Sequence, residues 1–337
     1  MATTNTRYVD VDAAAGGNGT TNALSGGNCA YKSLSIWEAA RQADLPTGDI
    51  IEACICESSD GAHTADTTAV TISGWITDAT RYISITTSAG ARHAGIYSAS
   101  KYRLEVTDAS CVSLGEDCIR LNGLQIKTVS PTANGRLAIG VTGIGAGGDL
   151  RLSNSLLVGH AHGTHTQAGL ISLADTDVVW TMWNVIAYNV AALAGNRVIA
   201  ITGATTTAIY GCTLIGGEYT IRTGSGTTTM KNTYCGGSLT EDYIRSAGTL
   251  VKVNCASDDA SADDTSGADE TQSNCVVNIL YDTTEGAGHA GFTNVGAGTE
   301  NFTLKAGSDL VGRGATLTDD PPGATALALD IAGNARS

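Results

Sequence analysis

The sequence predicts an all-β fold in which short strands wind into a solenoid behind one short N-terminal capping helix, and three observations predict it. An apolar strand phrase with a residue of fixed place at its centre recurs along the chain: "CIRLNGLQI", "LRLSNSLLV", "WTMWNVIAY", "AIYGCTLIG", "TTMKNTYCG" and "LVKVNCASD". The copies lie 20 to 32 residues apart, with no likeness between the segments that separate them. A strand repeated at such a period marks stacked coils whose loops vary while their register does not. The composition agrees, because Gly supplies 42 of 337 residues while aromatic residues make up 5% and charged residues 15%, which suits many strands and turns. Finally, a single stretch near the start carries the best helical pattern in the chain.

Residues 1–47 form the opening strand and that helix. In "SLSIWEAARQAD", Ser33 to Asp44, the side chains of Leu34, Trp37 and Ala40 are expected on one face. A solenoid end exposes unpaired strand edges and an apolar core, so it needs such a plug. Residues 48–278 form the coils. Each phrase alternates up to its centre, as Leu150 and Leu152 do before Asn154, sending one set of side chains inward. An apolar pair such as Leu156 and Leu157 follows, so the chain bends at the Asn and begins a second strand.

Aligned on that bend, the series is Asn122, Asn154, Asn184, Cys212, Asn232 and Asn254. Asn suits it by tolerating the left-handed backbone region, and its amide can bond to its counterpart one coil on, giving a stacked ladder that Cys212 interrupts. Roughly eight to ten coils spaced about 4.8 Å apart make a rod about 40 to 50 Å long. An acidic loop, 257–274, ends the coils, and 279–337 is the closing segment.

A net charge of −14 and a pI near 4.7 argue against a nucleic-acid groove. Phosphate binding needs clustered cations, and the 19 Lys and Arg are spread thinly. The opening "MATTNTRYVDVD" has no basic or apolar leader region, and no stretch reaches the length of a membrane span. Assembly in a cytoplasm, with neither nucleic acid nor membrane as partner, is the expectation. The nine Cys form no CxxC pair; most read as small buried hydrophobes, and Cys255 and Cys275 bracket a loop they could clamp.

Both ends carry a resemblance. "YVDVDAAAGGNGTTNALSGGNCAYKSLSIWEAARQADLPTGDII" is similar to the opening segment of right-handed parallel β-helix proteins of the pectate-lyase-like superfamily. "FTLKAGSDLVGRGA", Phe302 to Ala315, and the later "DIAGNARS" resemble the closing segment of the same proteins. With the repeat, the likeness covers nearly the whole chain and implies a single-stranded right-handed parallel β-helix. That architecture carries lyases, hydrolases, adhesins, phage tailspikes and virion decoration proteins, so it implies no one activity.

A lyase of this superfamily would need an Asp cluster for calcium and a basic residue beside it; a hydrolase would need carboxylates on adjacent coils. The outward places of the phrases hold Arg120, Arg151, Ser153, Thr181 and Lys231, with no stacked acids. Glu116 and Asp117 are adjacent, so a strand would send them to opposite faces. "HAHGTH" sets His160, His162 and His165 close enough for a transition metal, or is simply a polar loop. "SDDASADDTSGADE", Ser257 to Glu270, lacks the spacing of an EF-hand and reads as a solvated loop, with weak binding of a divalent cation as the alternative. Neither Gly-rich run has the context of a phosphate loop. No catalytic residue and no resident cofactor is expected.

The resemblance and these features together imply a non-enzymatic phage structural protein: a homotrimeric, tailspike-like decoration or cement protein on a capsid, with the major capsid protein as partner. The alternatives are a carbohydrate-active enzyme, either a polysaccharide lyase, a glycoside hydrolase or a tailspike depolymerase, and a glycan-binding adhesin, both placed outside the cell.

Overall fold

The computed structural model describes residues 2–59, 63–130, 135–145, 147–159, 169–176, 178–192, 194–203, 206–265, 269–314 and 317. Thr-, Val- and Ile-rich segments with period-two burial build its strands; in Ile83–Thr87 every second side chain is buried. Ten such strands form one long sheet, in chain order Thr3–Val9, Ile50–Cys56, Ile83–Thr87, Cys118–Asn122, Asp149–Ser153, Val179–Trp183, Thr206–Tyr210, Thr227–Lys231, Thr249–Val253 and Glu270–Ser273. A second sheet of seven runs from Leu104–Thr107 to Ala256–Ser257, and a third of seven from Val70–Ile72 to Glu241–Arg245. From Ile83 onward the chain visits the long, second and third sheets in rotation, and the paired strands in each run parallel. The protein is therefore all-β, in stacked parallel sheets, and ten strands at the usual spacing span about 43 Å. Among the described residues no helix is long and apolar enough to cross a membrane.

Strict register stacks like on like inside. Ile85, Leu121, Leu152, Met182, Ile209 and Met230 stand one above another in the long sheet. They belong to one apolar core that runs from Val9 to Ala262.

At the N-terminal end, the helix Leu34–Arg41 lies over this core. Ser33 caps it, accepting from the Ile36 amide at 3.1 Å. The carboxylate of buried Asp66 accepts from the Leu34 amide at 2.8 Å. Trp37 is fully buried, its ring 5.8 Å from that of Trp75. The face differs from the expected one: Leu34, Trp37 and Glu38 are buried and Ala40 is exposed. Residues 34, 37, 38 and 41 fall on one stripe of a 3.6-residue period, and 40 drifts off it. Glu38 tolerates burial because Gln42 Nε2, the Ser73 amide and Trp75 Nε1 donate to it at 3.0, 3.2 and 3.3 Å. Arg41 at the end of the stripe pairs with fully buried Glu52 at 2.8 Å.

The C-terminal end corrects two expectations. The acidic stretch after Ser257 is a solvated loop only in part: Asp263, Asp264 and Thr265 are exposed, while Ala262 has no exposure and joins the core, and Ser261 is buried. The column of Met230 continues into Lys252, fully buried, whose Nζ donates to the carbonyls of Ser261 and Asp264 at 2.7 and 2.8 Å. The acidic stretch thus folds across the end of the core and is tied there by an interior ammonium. Its last part, Glu270–Ser273, is a strand of the long sheet and no loop.

The segment after 279, for its part, closes a flank. Its antiparallel pair, Phe292–Asn294 with Asn301–Leu304, lays Phe292 and Phe302 on Leu156, Ile186, Tyr188 and Tyr234 of the second sheet, in an apolar cluster apart from the main core. "DIAGNARS" lies outside the described residues.

Candidate functional site

The bend between the long and second sheets is where sequence and backbone meet most closely. Asn154, Asn184, Asn232, Asn254 and Asn274 take φ of 47, 53, 51, 50 and 53°. Register sets Asn154 level with Gly123, φ 76°, and Asn184 level with Gly211, φ 60°. Asn122 and Cys212 therefore each stand one residue away from the corner, on opposite sides of it. The corner demands a left-handed backbone, which Gly meets as readily as Asn, so aligning on side-chain type slips the register there.

The amides still connect. Asn154 Nδ2 donates to Asn122 Oδ1 at 2.9 Å and Asn184 Nδ2 to Asn154 Oδ1 at 3.1 Å. The chain of amides stops at Gly211, which has no side chain to continue it. Asn254 Nδ2 instead donates to the Arg313 carbonyl at 2.9 Å, holding the flank segment. Replacing Asn154 by Ala removes both amide bonds and sets a Cβ without compensation in the left-handed region, so a loss of about 2–3 kcal/mol is expected. Asn154→Gly keeps the backbone freedom and should lose about half as much; urea titrations of the two variants make the comparison.

Beside the last corners lies a pocket of ≈ 250 Å³, bounded by Asn232, Asn254, Asn274, Tyr234, Phe292 and Phe302. Phe292 meets Tyr234 and Phe302 edge to face, each with ring centroids 5.4 Å apart.

A second feature, with no sign in the linear sequence, is a carboxyl pair. Buried Asp242 and half-buried Asp258 hydrogen-bond to each other. Asp242 also accepts from the Thr220 hydroxyl at 3.1 Å and the Asp258 amide at 3.0 Å. Burial, then the bond to Asp258, pushes the Asp242 carboxyl up to about 8 from 3.8. Its folded value lies above its unfolded one, so its contribution to stability is full below pH ~4, declines as pH rises and is gone above about 8. The melting temperature of Asp242→Asn minus that of the unmodified chain should therefore rise across this window and level off above it. Thermal melts at stepped pH measure the difference; a flat difference rejects the shared proton.

The expected polar places serve the fold. Arg120 lies 3.4 Å over the Tyr82 ring, Arg151 pairs with Asp149 at 2.7 Å, and Lys231 sits 5.5 Å over Tyr210. Ser153 and Thr181 are buried. Glu116 and Asp117 accept from the amides of Trp75 and Gly145 at 2.8 and 2.7 Å, which fixes neighbouring turns. In the acidic stretch, Asp258 accepts from the Gly237 amide at 2.6 Å and Asp259 from the Asp242 amide at 3.0 Å. His160, His162 and His165 lie outside the described residues, and among the described ones no group of three or more His, Cys, Asp or Glu converges as a metal site. Comparison of the chain with protein-family models, curated proteins and solved structures finds no match.

Proposed function

We propose that this chain is a non-enzymatic structural protein, a trimeric decoration or cement protein of a phage capsid built on a right-handed parallel β-helix. Right-handedness is supported by the near-universal hand of crossovers between parallel strands of one sheet. The observation that carries the reading is the outer face of the long sheet in its C-terminal half. Val179, Thr206, Thr227 and Thr249 form one uncharged row in register, and Thr181, Ala208, Thr229, Val251 and Thr271 form a second. Val179 is 43% exposed, and Thr206, Thr227 and Thr271 are exposed as well.

Two uncharged rows on a rigid rod, with Lys231 drawn aside over the Tyr210 ring, suit packing against copies of the chain around a threefold axis, and a trimer then offers several equal contacts to a lattice with local threefold positions. The second sheet cannot serve in this way, since the chain's own flank segment covers it, whereas on the long sheet Leu317 packs beside Trp183 and Tyr210, past the two rows.

Sedimentation of the purified chain tests the assembly: a trimer is expected, and Thr229→Glu with Val251→Glu should release monomers. Rebinding to capsids stripped of the protein tests the partner. A stable monomer with no affinity for capsids overturns the reading. The alternative of a glycan-directed protein draws on the pocket, where aromatic faces stand beside Asn amides; release of oligosaccharides from a panel of acidic and neutral glycans would favour it.

A further inference from the structure

Two of the nine cysteines form a matched set. Cys255 and Cys275 each follow a left-handed Asn, at φ 50 and 53°, and stand level on adjacent parallel strands. The Val276 amide donates to the Cys255 carbonyl at 2.9 Å, which fixes that level. Each sulfur lies 3.6 Å from the carbonyl oxygen two residues back, so the side chains share one orientation, and the two thiols are near enough for each to shift the other's titration. Strands about 4.8 Å apart lie within the Cα separation a disulfide spans, about 4.4–6.8 Å.

The two thiols differ in surroundings. Cys255 is fully buried and Cys275 half-buried. The neighbouring Cys255 thiol holds the Cys275 thiol down to about 7, and burial pushes that of Cys255 up. Cys275 is open to solvent in part, so a small reagent can reach its sulfur, while Cys255 lies behind it on the wall of the ≈ 250 Å³ pocket. Cys212 lines it too, yet Thr233 stands between Cys212 and Cys255 in the column. Both cysteines are free thiols in this structure.

We propose that Cys255 and Cys275 are an oxidisable dithiol that a low-molecular-weight disulfide converts to a disulfide bond, locking the acidic plug over the end of the core. The thiolate of Cys275 attacks one sulfur of the reagent, forming a mixed disulfide and releasing the first thiolate. The Cys255 thiol then gives up its proton, its sulfur attacks that of Cys275, and the second thiolate leaves. Two protein hydrogens and two electrons pass to the reagent, which ends as two thiols. The new bond closes residues 256–274 into a loop, and that loop holds the buried Ala262 and the two carbonyls bonded by Lys252. A cross-link at its base limits how far the plug can open.

The test treats the reduced full chain with oxidised glutathione, blocks remaining thiols and maps peptides. A Cys255–Cys275 cross-link is expected, with the other cysteines blocked, and its rate of formation should rise with pH through about 7. Cleavage within 256–274 by a protease should slow by about tenfold or more on oxidation. Cys255→Ser should stop at one glutathione on Cys275, and Cys275→Ser should take none. Peptide mapping of the unmodified chain decides the matter even where a variant folds poorly. Absence of the cross-link, or a different pair oxidising first, overturns the proposal.

Discussion

Replacing Trp37 by alanine is expected to cost about 3–5 kcal/mol, among the largest losses available to one substitution in this chain. The ring is fully buried between the first coil and its own helix, against Trp75. Eight helical residues have little stability of their own, so the helix stays in place by its buried face and its bonds to Asp66 and Glu52. The cavity left by the indole cannot be filled by neighbours fixed in a ladder, and the loosened helix exposes apolar core to solvent. Chemical denaturation of Trp37→Ala and Trp37→Phe measures the cost, with the phenylalanine variant retaining much of the packing. Static light scattering should show association of Trp37→Ala as that end becomes exposed. A loss below about 1 kcal/mol for Trp37→Ala would show that the helix does not seal the end.

Lys252→Met is expected to be nearly as costly, at about 3 kcal/mol or more, despite preserving the bulk of the side chain. The ammonium is fully buried and bonds two carbonyl oxygens of the plug, at 2.7 and 2.8 Å. Methionine leaves both acceptors buried without a donor, and each such loss costs about 1–3 kcal/mol. Glu270 also loses a cation at 3.6 Å, though Arg245 remains at 3.5 Å. Hydrogen exchange gives the sharper readout: amides of residues 258–265 should lose protection far more than those of the first coils. An equal loss throughout would show that Lys252 supports the whole rod and not its end.

The alternation of the long-sheet strands and their recurrence are plain in the sequence, since Leu150, Leu152 and their counterparts are buried in register. The third sheet is not. Strands such as Val70–Ile72 and Val112–Leu114 are three residues long, too short for period two to register. Alignment on side-chain type misplaces the corner by one residue at two coils, because backbone sign, and not amide chemistry, governs it, and Gly123 and Gly211 satisfy the same demand. Asn274 carries no such mark in the sequence, because its strand, Glu270–Ser273, is polar where the others are apolar.

The plug did leave a trace in the sequence. In "LVKVN", alternation puts Lys252 on the inward side with Leu250, and an inward Lys requires partners. Those partners are main-chain carbonyls ten or so residues away, which no charge count reveals. Asp242 gives no comparable sign, because its proton depends on Asp258 reaching it from the next coil.

Within the three sheets each coil bonds to the coils before and after it, so most contacts there join residues separated by a single circuit of the chain, and the flank segment reaches across several coils of the C-terminal half. Such an array behaves as a one-dimensional chain of nearest-neighbour couplings, and its cooperativity extends only as far as those couplings carry it. The helix at one end and the ammonium-tied plug at the other stand almost the full length of the stack apart. Loss of one should leave the other unaffected, with free-energy changes that add. The rod would then fray from either terminus inward, and a single transition temperature would describe its middle better than its ends.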